Sequence, residues 1–177
     1  VAAFRKAMKI RTKGNAVPAP LQGFHGIIEK PKDSKYSQLR QLVLANVEAS
    51  KYKEPTPVQM QVIPCLMDGR DVLGVAPTGS GKTSAFLIPA ILKHLSSPPE
   101  RAGRLRVLIL SPTRELANQI LRELQKLTFG RRIKAAVLSK ANASSSMSDA
   151  TNNNLCARLD VLIATPLRLA HMCKIGA

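Results

Sequence analysis

Aromatic residues are scarce in this chain: two Tyr, four Phe and no Trp, 3% of 177 residues. That poverty argues against domains that grip single-stranded nucleic acid by stacking base after base on exposed rings. Acidic residues are scarce as well. Eleven Asp and Glu stand against 27 Lys and Arg, a formal charge of +16. Such an imbalance rarely serves folding and points to an anionic partner. With so few rings, that partner must be held through its phosphates. The three cysteines, Cys65, Cys156 and Cys173, form no CxxC pair and no metal-ligand spacing. An odd number so placed is no disulfide framework and suits a reducing compartment. No apolar run approaches the ~20 residues that span a bilayer, so no membrane association is expected. The chain starts at Val1, with neither Met nor a signal-like segment, and is expected to be a piece of a longer protein.

What is present is an ordinary globular composition, 45% hydrophobic and 21% charged. Residues 1–33 read as a basic arm: Arg5, Lys6, Lys9, Arg11 and Lys13 crowd its start, and Val17-Pro18-Ala19-Pro20 is extended. A solvated tail is the plain alternative for that cluster. Residues 34–177 read as one domain. Leu39, Leu42, Val43 and Val47 recur at helical spacing. Thr56-Pro57 reads as an N-cap followed by Pro at the first helical position; Pro64 should kink that helix and Gly69 should end it. Strands are expected at 71–75, 106–110, 133–138 and 160–164, with helices at 82–95 and 113–128 between them. Leu116, Ile120, Leu124 and Leu127 stripe the second helix. Strand–helix alternation argues for an α/β fold with a parallel sheet. Asn142 to Asn154, rich in Ser, Asn and Ala, reads as a surface loop.

The strongest local signal is Ala76-Pro77-Thr78-Gly79-Ser80-Gly81-Lys82-Thr83, between an expected strand and an expected helix. This is a phosphate-binding loop (P-loop) in the context it requires. Gly79 and Gly81 admit backbone conformations that side chains disfavour, so successive N–H groups can form an anion nest. Lys82 would reach the β and γ phosphates, and the Thr83 hydroxyl would ligate Mg²⁺. Upstream, Gln59 in Pro55-Thr56-Pro57-Val58-Gln59 carries one amide donor and one amide acceptor, which match the N6 and N7 edge of adenine. Two aromatic residues, Phe24 and Tyr52, precede it. Pro112-Thr113-Arg114-Glu115-Leu116 and Thr165-Pro166-Leu167-Arg168 fall at the carboxyl ends of expected strands, where ligands bind in open α/β sheets.

Together these segments resemble the first RecA-like domain of a DEAD-box ATP-dependent RNA helicase, from about Phe4 to Ile175. The resemblance implies a P-loop (RecA-like) parallel sheet with helices on both faces, with ATP and Mg²⁺ as cofactors. It makes Thr56 and Gln59 the adenine-reading Q motif, and Phe24 the upstream aromatic that stacks on adenine. It places residues 112–116 and 165–168 on the RNA sugar-phosphate backbone, with Pro112, Thr113, Arg114, Thr165 and Arg168 as the contacts. The departures are specific. Tyr52 keeps a ring where the family usually has Phe, but Lys51 replaces the preceding Gly. Leu167 replaces the usual Gly of the second RNA segment, and Lys140-Ala141 stands near the family's Gly-Gly pair. That pattern, with Phe4-Arg5 and Pro18-Ala19-Pro20, is similar to a nucleolar branch used in small-subunit ribosome assembly. It implies pre-rRNA and ribosome-assembly proteins as partners, a nucleolar location with the cytoplasm as alternative, and a monomer. The 177 residues stop before any Asp-Glu-Ala-Asp, so they are expected to carry the nucleotide cradle without the hydrolytic machinery. The competing readings are a catalytically silent RNA clamp or assembly scaffold, and a DNA helicase or another P-loop ATPase; the Q-motif segment disfavours the last two.

Overall fold

A computed structural model describes residues 1–27, 34–95, 105–139 and 159–174. The chain divides into two compact units, Val1–Ser96 and Ser97–Ala177.

The first unit is helical. It holds α1 (Ala2–Ala7), a 3-10 turn (Phe24–Ile27), α2 (Ser34–Ala49), α3 (Pro57–Met67) and α4 (Lys82–His94). Its core includes Val43 and Val47 at the spacing expected for α2, while α3 buries Met60 and Ile63 and leaves Val58, Val62, Leu66 and Met67 half-buried. Val43 and Val47 of α2, Ile63 of α3, and Leu87, Ile88 and Ile91 of α4 are all at most 1% exposed. Burying each such side chain contributes roughly 1.5–3 kcal/mol. Pro57 occupies the first turn of α3 behind the N-cap Thr56. Gly69 follows the helix end with φ +80°. Pro64 does not interrupt α3. It has no N–H to offer the carbonyl four residues back, and that carbonyl, Met60 O, accepts from Leu21 N–H at 2.8 Å. The carbonyl that Pro64 leaves open is a docking point for the arm.

α2 ends in a Schellman turn: Tyr52 N–H donates to Val47 O at 3.3 Å and Lys51 N–H to Glu48 O at 2.9 Å. The turn needs a left-handed residue, and Lys51 supplies it with φ 62°. The glycine expected at this position from the family resemblance is thus a geometric requirement, which this chain meets with a strained lysine.

The second unit carries the sheet: β1 (Val107–Leu110), α5 (Arg114–Leu127), β2 (Ala135–Val137), β3 (Val161–Ala164) and α6 (Pro166–Lys174). The order is β1-β3-β2, and all pairings are parallel. Leu110 pairs with Ala164, so the chain leaves β1 and β3 at the same sheet edge. Central β3 is buried throughout, whereas Leu108 and Leu110 of β1 are 46% and 53% exposed. Asp160 ties the opposite strand ends together. Its carboxylate pairs with Arg106 at 3.0 Å and accepts from Lys134 N–H at 2.9 Å. α5 buries Ala117, Ile120, Leu124 and Leu127. Leu116, expected in that stripe, is only half-buried.

One expected strand is not formed. Asp71–Val75 forms no strand, with Leu73 94% and Val75 91% exposed. Apolar, β-branched sequence suits a strand, but a strand exists only through hydrogen bonds to a neighbour. Among the described residues this segment has none. The Ser/Asn-rich stretch 142–154, the Lys140-Ala141 pair and Cys156 lie outside the described residues.

The strained turn yields a test. Lys51→Gly removes the left-handed penalty of about 1–2 kcal/mol and adds unfolded-chain entropy worth about 0.5–1 kcal/mol. A net gain of about 0.5–1 kcal/mol is expected in urea unfolding. A loss of stability would show that the lysine side chain holds this turn in another way.

Candidate nucleotide and RNA sites

The candidate nucleotide site lies in the first unit, at the N-terminus of α3 and the loop entering α4. Thr56 caps α3 with extended backbone (φ −71°, ψ 161°), and Gln59 stands three residues on in a capping-box relation. Gln59 Oε1 accepts from Thr56 N–H at 3.0 Å. The same two side chains then reach the phosphate loop. Thr56 Oγ1 donates to Ser80 O at 2.7 Å, and Gln59 Nε2 donates to Gly81 O at 3.2 Å. Gln59 is 2% exposed. Each end of its amide still has one unused hydrogen-bonding position, since Nε2 carries two protons and Oε1 two lone pairs.

Gly79 and Gly81 have φ +77° and +82°. They differ in surroundings. A Cβ at Gly79 would meet open space, whereas one at Gly81 would land against Gln59 Nε2. Gly81 is required for the close approach of α3, Gly79 for backbone conformation alone. Lys82 folds back on its own loop and donates to Ala76 O at 2.7 Å and Pro77 O at 2.6 Å. An incoming phosphate therefore competes with two carbonyls for the ammonium. Ser80 Oγ is buried without a hydrogen-bond partner. An orphaned hydroxyl, an ammonium and the amino end of α4 suit an anion. Thr83 is half-buried in the first turn of α4. Among the described residues no trio of His, Cys, Asp or Glu is placed to hold a metal ion. A single hydroxyl ligand fits Mg²⁺ carried mainly by nucleotide phosphates.

The two aromatic candidates are placed differently. Phe24 sits in the 3-10 turn at 5% exposure, and Tyr52 is half-buried behind α2. Pro55 and Met60 are buried, while Pro77 and Thr78 are exposed on the loop.

The candidate RNA residues gather at the carboxyl edge of the second unit's sheet. Thr113 caps α5, accepting from Leu116 N–H at 3.2 Å, and its own hydroxyl proton remains to be donated. Pro112 and Arg114 are exposed. Arg114 makes no ion pair among the described residues. On the neighbouring strand, Thr165 is half-buried before α6. Arg168 Nη2 donates weakly to Ser139 O at 3.5 Å, and its Nε is buried without a partner. Leu167 stands 84% exposed where the family usually has Gly.

A family model for the DEAD/DEAH box helicase matches residues 56–176. The chain belongs to the DEAD/DEAH-box helicase family. It is 42% identical over 174 residues to "Probable ATP-dependent RNA helicase ddx52" of Dictyostelium discoideum, covering 98% of this chain and 24% of that protein. It is 39% identical to the ATP-dependent RNA helicase CHR1 of Candida albicans, covering 98% of this chain and 28% of the relative. Among solved structures, the yeast DEAD-box splicing factor Prp28 superposes with TM-score 0.75 at 33% identity, over 98% of this chain and 39% of that one. Prp28 from Chaetomium thermophilum, bound to ADP, superposes with TM-score 0.71 at 31% identity, over 98% and 39%. The chain thus spans about a quarter of the length of these curated relatives. The parallel sheet with helices is the RecA-like arrangement of these DEAD-box neighbours. Membership of the family implies the use of ATP.

Sequence reasoning missed the bond between Arg5 and Gln61 of α3, the helix that carries Gln59. Arg5 Nε donates to Gln61 Oε1 at 2.9 Å, and Gln61 Nε2 donates to Pro18 O at 3.0 Å. Phe4-Arg5 stood out in the sequence only through the family resemblance, and nothing there set the chemistry of Arg5 apart from that of the exposed Lys6 and Lys9.

The two loop glycines give a paired test. Gly79→Ala adds only the left-handed strain, about 1–2 kcal/mol. Gly81→Ala adds the same strain and displaces Gln59, for about 1–3 kcal/mol more. Denaturation of both variants should show Gly81→Ala as clearly the costlier. Equal costs would mean that Gln59 does not pack on the loop.

Proposed function

We propose that the protein carrying this domain is an ATP-dependent RNA helicase and that these residues form its first ATP- and RNA-binding domain. The observation that carries this reading is the pair of side-chain bonds joining Thr56 and Gln59 to Ser80 and Gly81. They put a group able to read adenine in direct contact with a loop able to hold phosphates. In this reading Gln59 uses its remaining donor and acceptor on N7 and N6 of adenine, with Phe24 and Tyr52 as the candidate aromatic partners of the base. The N–H groups of residues 78–81 cradle the phosphates, and Lys82 leaves Ala76 O and Pro77 O for the β and γ oxygens. Thr83 holds Mg²⁺, which neutralises phosphate charge when bound.

RNA is held at the carboxyl edge of the β1–β3 sheet by Thr113, Arg114, Thr165 and Arg168, with Pro112 shaping the turn. Such contacts to phosphate and sugar carry no base sequence, so binding is sequence-tolerant. The +16 charge supports it, as does the exposure of Arg114. Pre-ribosomal RNA remodelling in the nucleolus, with assembly proteins as partners, is the biological setting proposed. Its support is the similarity of Phe4-Arg5, Pro18-Ala19-Pro20 and Lys140-Ala141 to that branch of the family.

Two experiments test this reading. Gln59→Ala should lose about 1–3 kcal/mol of ATP binding and leave GTP binding little changed. An unaltered ATP-over-GTP preference would reduce Gln59 to a helix-start residue. Arg114→Ala and Arg168→Ala should each lower the slope of log RNA affinity against log salt by about 0.7, for all RNA sequences alike. If only removal of residues 1–13 lowers it, the basic arm and not the sheet edge holds RNA.

A further inference from the structure

We propose that Arg5 is a positioning residue for the adenine end of the nucleotide site, clasping the N-terminal arm to α3 so that Gln59 is held on the phosphate loop. The proposal rests on the reading of Gln59 given above.

The arm touches α3 through a chain of polar contacts. Arg5 makes three hydrogen bonds through its guanidinium: Nε donates to Gln61 Oε1 at 2.9 Å, and Nη2 donates to Val17 O at 3.2 Å and Pro18 O at 2.6 Å. Gln61 returns a bond to Pro18 O at 3.0 Å and a longer one to Cys65 Sγ at 3.5 Å. Leu21 N–H fills the Met60 carbonyl that Pro64 leaves open. Beyond the end of α3, Arg70 Nη1 donates to Asn15 O at 2.7 Å. α1 itself has no buried residue, so apolar packing does not fix it in place. Arg5 is half-buried, whereas Lys6, Lys9, Arg11 and Lys13 are exposed. The basic cluster therefore contains one structural arginine among solvated lysines and arginine.

The helix geometry links this clasp to the nucleotide. Gln59 and Gln61 are two residues apart, and at 3.6 residues per turn they face nearly opposite sides of α3. Gln59 bonds Gly81 on one side, and Gln61 bonds Arg5 and Pro18 on the other. Met60, between them, carries the carbonyl held by Leu21. The first turns of α3 are thus held between the arm and the phosphate loop. Releasing the arm frees the helix to shift away from Gly81, and the adenine edge loses its reader while the phosphate cradle stays. Guanidinium bonds to neutral carbonyls are among the stronger hydrogen bonds, and their planar geometry fixes direction as well as distance.

The test measures dissociation constants of ATP and GTP by displacement of a fluorescent nucleotide from the full-length protein, beside the unfolding midpoint of each variant. The variants are Arg5→Met, which keeps the stem and loses the donors, Gln61→Met, Arg5→Lys and Gln59→Ala. Arg5→Met and Gln61→Met should each weaken ATP about fivefold and GTP much less, narrowing the preference. Arg5→Lys should recover part of the loss, because one ammonium still reaches Pro18 O. An ATP-to-GTP ratio unchanged in Arg5→Met, with Gln59→Ala altering it, overturns the clasp and leaves the adenine reading intact. Equal weakening of both nucleotides together with a lowered midpoint also overturns it, since the arm would then only stabilise the fold. A ratio unchanged in Gln59→Ala removes the adenine reading itself, and the clasp with it.

Discussion

The bonds from Thr56 Oγ1 to Ser80 O and from Gln59 Nε2 to Gly81 O are the constraint on which the first unit depends. The phosphate loop has left-handed glycines and an exposed Lys82, and loops of this kind are mobile by default. Two side chains of α3 fix its last two residues before α4. They do so because Thr56 and Gln59 already cap α3, so the groups that satisfy a helix end also satisfy the loop. Gly81 is the counterpart on the loop side, since any side chain there would occupy the space of the Gln59 amide. Capping, loop conformation and ligand chemistry are one structural problem here with one solution.

The second unit solves a different problem. Parallel strands send their carboxyl ends to one edge, and β1 and β3 leave the sheet in register. Thr113 and Thr165 then start helices at that edge, presenting hydroxyls and N–H groups beside Arg114 and Arg168. At the other ends of the strands Asp160 gathers Arg106 and Lys134 and fixes the register. The division follows from sheet geometry: one edge is consumed in holding strands, the other is left for a ligand.

Much of this was legible in the sequence because the signals were local. Thr56-Pro57 announced a capped helix, Gly79 and Gly81 a loop that needs left-handed residues, and Thr113 a helix start. Helical spacing found Val43, Val47, Ile120, Leu124 and Leu127 in their cores. The failures came where the deciding partner is distant in sequence. Asp71–Val75 has strand composition, but composition cannot supply a ladder partner. Pro64 announced a carbonyl without its helical partner, but only the fold shows that Leu21, 39 residues before Met60, answers it. Arg5 was marked by resemblance alone, and only its bonds to Gln61 and Pro18 give it a physical role. Short elements such as α1 carry too few turns for periodicity to register.

In the proposed function, adenine recognition and phosphate holding are mechanically joined through α3 and residues 80–81. A double-mutant cycle on ATP affinity tests it most directly, using Thr56→Val, which cuts one bond of the join, and Lys82→Gln, which weakens the phosphate hold. The expected result is non-additivity: the double variant differs from the sum of the single variants by more than about 0.5 kcal/mol. Additive losses within about 0.3 kcal/mol would contradict the claim, showing two sites that share a neighbourhood and act independently.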